Sequence, residues 1–289
     1  MPKLISPTMI RTASTPGAFI LAVATHSLAQ TAPTDAPSSS LMANTPMGLY
    51  ASDSLFAEFD GEQVPKIAVG RLPVLTAEEL GNMVDKIGSY ENGTGKHVLF
   101  LADDPDSGGD FPIDSDGVAA LLPPSYTSEK IYLSPGAVDP ARQMLLAGIN
   151  NGAAYLNYIG HAGPDRLASE GFLKTEDVGS MTNAAGLHVM TAMTCLAGKF
   201  DLPGFDSLAE SLVLKKGGGS AAVWAPTGYS FNSLAKVLDE AFFNAAFNGS
   251  KAVLGDVILK AFKDYSMTGG QPYMIDIYTL LGDPALQLR

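Results

Sequence analysis

The sequence predicts an α/β domain with a mostly parallel central sheet that helices cover on both faces. Short apolar segments alternate with longer amphipathic ones along most of the chain, and this alternation is typical of parallel sheets buried on both faces. Hydrophobic residues make up 46% of the 289 residues and charged residues 17%. This composition supplies a sizeable core and argues against global disorder.

Each predicted strand is a short apolar segment bounded by turn residues or by a helix. The first covers residues 16–25, with its apolar part at 19–24, and a second apolar stretch lies at 67–69. The remaining strands are predicted at 97–102, 129–133, 153–159, 187–194, 220–225 and 277–281.

The predicted helices have one apolar face and recognisable ends. The clearest begins with a capping box formed by Thr76 and Glu79 and runs to about Tyr90. The others are predicted at 118–122, 140–150, 207–215, 234–247 and 253–265. Between these elements, residues 27–47 are rich in Ser, Thr, Ala and Pro and indicate a long loop, and 103–116 form an acidic loop. We therefore divide the chain into an N-terminal segment, 1–47, and one domain, 48–289.

The first 30 residues allow two interpretations. Lys3 and Arg11 precede the apolar stretch at 17–24, and small residues follow it, as in a signal peptide. An apolar run of this length also fits a buried strand. No run reaches the roughly 18 to 20 apolar residues that a membrane span needs, so no span is predicted.

Composition excludes several classes of site. The formal net charge of -12 argues against nucleic acid as a partner, because binding phosphates needs clustered Lys and Arg. Cys195 is the only cysteine, which excludes an intrachain disulfide, a thiol-based zinc site and a C-x-x-C redox pair. The sequence also contains no G-x-S-x-G elbow and no H-E-x-x-H motif, so a serine hydrolase of that type and a zincin are unsupported.

Two predicted strands end in residues that could perform chemistry, His161 and Cys195. Ligands of parallel sheets bind beyond the carboxyl ends of the strands, so these two side chains would share one crevice if the strands are neighbours. A thiol needs a base beside it to attack a carbonyl group at neutral pH, and an imidazole can supply that base. The backbone N–H of Cys195 and that of Ala162 or Gly163 are the predicted oxyanion donors.

Several segments resemble those of gingipain-type cysteine peptidases. N-Y-I-G-H-A-G at 157–163 is similar to their N-Y-x-G-H-G histidine segment, and C-L-A-G-K-F at 195–200 is similar to their C-x-x-G-x-F nucleophile segment. Further matches, in order along the chain, lie at 67–73 (I-A-V-G-R-L-P), 207–210 (S-L-A-E) and 282–286 (G-D-P-A-L).

The resemblance implies a three-layer α/β/α caspase-like fold and a cysteine endopeptidase that acts on polypeptides through a Cys195–His161 dyad, with no required cofactor. It also implies a secreted or cell-surface protein. Because this family has a strand before the Asp53 region, the resemblance favours a strand over a signal peptide at 16–25. The residue after the histidine is Ala162 where the family has glycine, which reduces backbone freedom beside the predicted oxyanion donor.

The resemblance also suggests further site residues. An acid that orients the histidine precedes a helix in the family, and Asp110 is the nearest candidate, with Asp114 behind it. Relatives that cleave after Arg or Lys have an acid at the base of the specificity pocket, whereas 119–121 here read A-A-L. Trypsin-like specificity is therefore not predicted. The segment 224–230 would line the substrate pocket, and the residues chosen from it as substrate-binding are Thr227, Gly228 and Tyr229.

Calcium is known in the family, and carboxylates are its usual ligands. The acidic loop at 103–110 and the group Glu58, Asp60 and Glu62 are the candidate sites, although neither has a spacing that demands an ion. Two rival functions stay open: a catalytically inactive caspase-like binding or assembly module, and a cysteine-dependent acyl transferase on the same fold.

Overall fold

The computed structural model describes residues 41–59, 61, 63–249 and 252–289, together with the backbone of 19–23. Thirteen strands are described. In chain order they are β1 (Phe19–Val23), β2 (Leu41–Thr45), β3 (Gly48–Ser52), β4 (Ala68–Leu72), β5 (His97–Ala102), β6 (Thr127–Tyr132), β7 (Tyr155–Ile159), β8 (Ala162–Gly163), β9 (Arg166–Leu167), β10 (Leu173–Lys174), β11 (His188–Met193), β12 (Ser220–Pro226) and β13 (Tyr278–Leu281).

Most of the described helices lie where the sequence pattern predicts a helix. They are α1 (Ala77–Glu91), α2 (Phe111–Ala119), α3 (Val138–Asn151), α4 (Thr175–Val178), α5 (Leu208–Leu214), α6 (Asn232–Phe247), α7 (Leu254–Met267) and α8 (Tyr273–Ile277), with a 3-10 helix at Ser54–Ala57. The predicted capping box starts α1: the Glu79 N–H donates to Thr76 Oγ1, and the Thr76 N–H donates to the Glu79 carboxylate. None of the helices described here combines the length and the apolar character that a membrane span requires.

The central sheet has eight strands in the order β1-β4-β13-β12-β11-β7-β5-β6. Every neighbouring pair is parallel apart from β12 and β13, which are antiparallel. The predicted mostly parallel sheet is therefore confirmed. Its central strands are buried on both faces, and β11 is buried along its whole length.

Alternating side chains of each strand enter two separate cores. Val98 and Phe100 of β5 pack into the core that α2, α6 and α7 cover, whereas Leu99 and Leu101 pack into the core that α3 and α5 cover. Because side chains of a strand alternate between faces, one apolar strand can hold both helical layers in place. The result is the three-layer α/β/α arrangement.

Three local predictions need correction or completion. The strand expected at 16–25 forms over 19–23, parallel to β4, and its remaining residues lie outside the described part of the chain. The loop expected at 27–47 is wrong from residue 41 onward, where β2 and β3 pair as a hairpin; the Met47 N–H donates to Thr45 Oγ1 and thereby closes the turn. Residues 27–40 are not described, and the domain boundary after residue 47 stays a prediction.

The helix predicted at 118–122 begins earlier, at Phe111, so the acidic loop is shorter than the sequence suggested. The Asp110 side chain accepts a hydrogen bond from the Ile113 N–H at 3.3 Å, and Pro112 occupies the first turn. Both features are typical of a helix N-terminus. The low helix propensity of Gly117 and of the several aspartates hid this start in the sequence.

Candidate active site

Two neighbouring strands bring the predicted dyad residues to one edge of the sheet. In the parallel pair of β7 and β11, Ile159 lies opposite Met193. His161 and Cys195 each follow two residues after these positions. They line the same cavity of about 170 Å³ at the carboxyl ends of the strands. The structure therefore brings the two residues together.

The loop after β11 holds Cys195 in a defined orientation. Leu196 has a left-handed backbone with φ of 58°, which is uncommon for a residue other than glycine. Its N–H donates to the Gly228 carbonyl at 3.1 Å, and the Gly198 N–H donates to the Pro226 carbonyl at 2.9 Å. These bonds to the segment after β12 hold the turn in a conformation that costs free energy, a feature common near active sites.

The hydrogen bonds of the Cys195 thiol in the described structure go to Ser230. The thiol donates to the Ser230 carbonyl, and the Ser230 N–H donates to Sγ, each at 3.4 Å. Burial raises the pKa of Cys195, and the bond from the Ser230 N–H partly offsets this effect by lowering it. In this arrangement the sulfur is a neutral thiol near pH 7.

We expect iodoacetamide to alkylate Cys195 with a pH midpoint above that of an ordinary thiol, about 8.5, because the reactive thiolate forms only above the raised pKa. Mass spectrometry of the folded protein from about pH 6 to about pH 10 measures this midpoint. The same protein unfolded in urea is the control, and its single cysteine makes the reading unambiguous. A midpoint below about 7 in the folded protein would contradict a neutral resting thiol.

The structure places Asp106, not the predicted Asp110, against the imidazole. His161 Nε2 lies 3.0 Å from Asp106 Oδ2, and the Phe111 ring packs edge-on against the imidazole at 5.2 Å between centroids. Hydrogen bonds from Gly108 and from His161 lower the pKa of Asp106, so its carboxylate is ionised near pH 7. Asp110 instead caps α2, and Asp114 accepts hydrogen bonds from α6.

Hydrogen bonds to two buried side chains hold the backbone of His161 in place. Its N–H donates to the buried carboxylate of Asp103 at 3.0 Å, and its carbonyl accepts from the Tyr158 hydroxyl at 2.6 Å. Burial raises the pKa of Asp103 to about 6. Gly160 is required in this sequence, because an added Cβ would lie 2.4 Å from the Asp103 Cβ and its φ is 155°. Nothing local in the sequence distinguishes Asp103 as the acid that holds this backbone.

The backbone N–H groups of Ala162 and Gly163, the two candidate oxyanion donors after His161, differ in their hydrogen bonding. In the antiparallel pair of β8 and β9, Ala162 lies opposite Leu167 and Gly163 lies opposite Arg166. The Ala168 N–H donates to the His161 carbonyl at 2.7 Å. Because hydrogen-bonded and non-bonded pairs alternate, the pair of Gly163 and Arg166 carries the next ladder bonds, and the Ala162 N–H points away from the hairpin. Ala162 is therefore the better placed donor.

The segment after β12 contributes less to the cavity than the sequence suggested. Thr227 is buried, and its hydroxyl donates to the Ala51 carbonyl at 2.6 Å, so its side chain cannot bind substrate. Gly228 lies against the Tyr50 ring: a Cβ added to this glycine would be only 2.8 Å from the nearest ring carbon of Tyr50. Of the three predicted residues, Tyr229 alone presents a side chain to solvent, with 44% exposed.

Three carboxylates near the site could hold a cation. Asp103, Asp104 and Glu170 can bring oxygens within 4.8 Å of one another. Both Asp103 oxygens already accept backbone N–H bonds, from His161 and from Asp104, which reduces their capacity as ligands. Glu58 lies elsewhere, and Asp60 and Glu62 lie outside the described residues. Calcium therefore stays a prediction based on ligand type alone.

The sequence profile described as "Peptidase family C25" matches residues 12–289. The chain belongs to this family. Membership confirms the gingipain-type resemblance and supports the coarser function predicted from it, that of a cysteine peptidase. A search of curated protein sequences finds no match for this chain.

Solved structures show the same fold in C25 peptidases. The Arg-specific cysteine proteinase gingipain R matches with a TM-score of 0.78 and 21% identity, over 94% of this chain and 64% of that one. A complex of the pro- and mature domains of RgpB from Porphyromonas gingivalis gives 0.78 and 21%, over 95% and 66%. A structure described only as a protease gives 0.73 and 16%, over 85% and 61%. At these identities the likeness shows the fold, and the chain spans less than two thirds of the length of each of these three structures.

Proposed function

We propose that the chain is a cysteine endopeptidase in which Cys195 is the nucleophile and His161 is its base and then its acid. The observation that supports this most directly is that both side chains line one cavity at the ends of adjacent strands. A thiol, an imidazole and two backbone N–H groups supply every group that acyl transfer needs, so the chemistry requires no cofactor.

The hydrogen bonds of His161 support one choice of atoms for the first step of this proposal. Because His161 Nε2 bonds to Asp106, Nδ1 is the nitrogen left to accept the thiol proton. As Sγ of Cys195 attacks the scissile carbonyl carbon, the proton passes to Nδ1. The carbonyl oxygen becomes an oxyanion and accepts hydrogen bonds from the N–H groups of Cys195 and Ala162. Asp106 stabilises the imidazolium that forms.

Collapse of the tetrahedral intermediate breaks the C–N bond, and His161 donates its proton to the leaving amine. A thioester then joins the acyl group to Cys195. Water, deprotonated by His161, attacks this thioester and releases the carboxylic acid, and the proton returns to the thiol. A neutral resting thiol fits this sequence, because the proton transfer accompanies attack rather than preceding it.

The substrate in this proposal is a polypeptide chain, and the location is secreted or at the cell surface, as the resemblance implies. Tyr229 is 44% exposed and directly precedes Ser230, which lines the cavity, so in this proposal it would contact the substrate. The net charge of -12 disfavours polyanionic partners.

A mixed peptide library tests the proposal. The wild-type protein should cleave internal peptide bonds, and Cys195→Ala should lose at least about 10⁴-fold in rate, because it removes the nucleophile. Mass spectrometry of the products reports the cleavage sites, and thermal melting of both proteins checks that they are folded. Equal cleavage by both proteins would mean that Cys195 is not the nucleophile. No cleavage by either folded protein would favour the inactive binding module.

A further inference from the structure

The cavity beside Cys195 lies where a peptidase would hold part of its substrate. It occupies about 170 Å³, and both Cys195 and His161 line it. In a peptidase, the pocket next to the nucleophile receives the side chain of the residue whose carbonyl is attacked, the P1 residue, and the chemistry of that pocket sets the P1 preference. The surface that this cavity presents therefore bears on which peptide bonds would be cleaved.

The polar side-chain atoms around the cavity are covered or already hydrogen-bonded. Thr194 Oγ1 and Asn232 Oδ1 have almost no accessible surface, so a bound side chain could not reach them. Asn232 Nδ2 donates to the Asp114 carboxylate at 2.8 Å. Ser230 Oγ lies 3.4 Å from the Tyr278 hydroxyl, and the backbone N–H and carbonyl of Ser230 bond to the thiol. Apart from the two proposed catalytic groups, the wall offers a ligand mainly carbon surface.

Phe231 supplies exposed apolar surface to this wall. Among the described residues that line the cavity, it is the only large apolar one that is substantially exposed, with 50% of its surface accessible. Phe111 and Met193 also line the cavity, but they are almost fully buried. Covering an exposed aromatic ring with an apolar group removes both from water, which is favourable. Phe231 is therefore the residue that an apolar P1 side chain would cover.

The cavity provides no counter-charge for a charged P1 side chain. The described residues that line it include no Asp, Glu, Lys or Arg. The nearby Asp114 is not a lining residue, and it is already paired with Lys236 at 2.6 Å. The His161 imidazole already bonds to the Asp106 carboxylate. A lysine, arginine, aspartate or glutamate at P1 would lose hydration without gaining an ionic partner.

The volume of the cavity suits a medium-sized apolar side chain. An apolar cavity of about 150 Å³ is large enough to hold a benzene ring, so about 170 Å³ accommodates the side chain of leucine, methionine or phenylalanine. We propose that this cavity is a P1 pocket for an apolar side chain of that size, which packs against Phe231. This inference rests on the proposed peptidase function, and it names the substrate class of the same site.

Peptides that differ only at P1 test the inference when they are compared in pairs of similar size. We expect kcat/KM for leucine to exceed that for asparagine, and kcat/KM for norleucine to exceed that for lysine, by at least about tenfold in each pair, because the polar ends lose hydration without a partner. Leucine should also exceed alanine by at least about tenfold, since each methylene that an apolar pocket covers contributes to the rate.

Variants of Phe231 report on the apolar wall. Phe231→Ala should lower the ratio of kcat/KM for leucine to that for alanine by at least about fivefold, whereas Phe231→Leu, which keeps an apolar wall, should retain most of it. Phe231→Glu should raise the ratio for lysine to norleucine about fivefold, because it places a partly exposed carboxylate beside the cavity. The Phe231 side chain is exposed and makes no capping bond to α6, so these variants should fold.

Phe59→Ala is the matched control for the Phe231 variants. Phe59 is also an exposed phenylalanine, with 46% of its surface accessible, and it does not line the cavity. This variant should leave both ratios unchanged. Because each readout is a ratio of two peptides measured on one protein, a general loss of activity does not affect it.

The outcomes separate this inference from the function beneath it. Fastest Cys195-dependent cleavage after asparagine, alanine or a charged residue would overturn the P1 proposal and leave the peptidase intact. An unchanged leucine-to-alanine ratio in Phe231→Ala would overturn it as well. If no peptide is cleaved, the proposed function fails, and calorimetric binding of the same peptides to Cys195→Ala decides the pocket chemistry. Tighter binding of the leucine peptide than of the asparagine peptide supports the inference, and equal or weaker binding overturns it.

Discussion

His161→Ala should lower kcat for peptide hydrolysis by about 10³-fold to 10⁴-fold, because it removes the group proposed as both the base and the acid of the reaction. Asp106→Asn should lower kcat only about fivefold, since the pair is half exposed and one such hydrogen bond is worth about 1 kcal/mol. Rates measured at saturating substrate give both values. The difference in kcat between the two variants distinguishes a residue that transfers the proton from a residue that only orients the imidazole.

Asp110→Asn is the matched control for Asp106→Asn. Asparagine caps helices as well as aspartate does, so α2 should keep its N-terminus and the protein its stability. Because Asp110 bonds to the Ile113 N–H and not to the imidazole, its loss of charge should leave kcat nearly unchanged. If Asp110→Asn proves more damaging than Asp106→Asn, the assignment of the orienting acid made from the structure is incorrect.

Asp53→Asn should lower the free energy of unfolding by about 3 to 5 kcal/mol, because it leaves the guanidinium of Arg71 buried without its counter-charge. Both side chains are 2% exposed. Arg71 Nε donates to Asp53 Oδ2 at 2.9 Å, and Thr279 donates to the same carboxylate oxygen at 2.8 Å. Urea denaturation followed by circular dichroism measures the effect.

Glu78→Gln is the control for the Asp53 variant. Glu78 pairs with Lys216 at 3.0 Å, but the two side chains are 74% and 71% exposed. An exposed pair contributes at most about 1 kcal/mol, so the control should change stability little. Similar losses in the two variants would show that burial of the Asp53–Arg71 pair does not govern its contribution.

The Asp53–Arg71 pair also contacts the segment that begins at Cys195. The Arg71 guanidinium lies 3.8 Å from the centre of the Phe200 ring, and Phe200 closes the C-L-A-G-K-F segment that begins at Cys195. Arg71 thus connects β4 to the turn that carries Cys195. The segments at 67–73 and 195–200, far apart in sequence, are therefore parts of one packed unit.

Local signals explain what the sequence predicted well. The strands before His161 and Cys195 are mostly apolar, with Asn157 in one and His188 and Thr191 in the other, and small residues follow each of them. This local pattern predicts both that they are strands and where they end. The capping box at Thr76 needs only four residues to be recognised. These features depend on neighbours in the chain, so no tertiary information was needed.

The missed features depend on tertiary geometry. Asp103, Asp106 and Asp110 lie in one acidic segment, and nothing local distinguishes them. The position of Asp106 follows from its bridge to Gly109 and from the path of the loop over β5. The position of Thr227 after a strand predicts a substrate contact, but the direction of its side chain depends on its hydrogen bond to the carbonyl of Ala51, far away in the sequence.

The left-handed turn after Cys195 and the first turn of α6 lie on separate segments, joined across the cavity by the bonds to Ser230 and Gly228. One segment carries Cys195, and the other continues into α6, whose first residue, Asn232, also lines the cavity. Because these bonds connect the two segments, a substitution that moves the segment before α6 is expected to shift the Cys195 turn as well as the cavity wall.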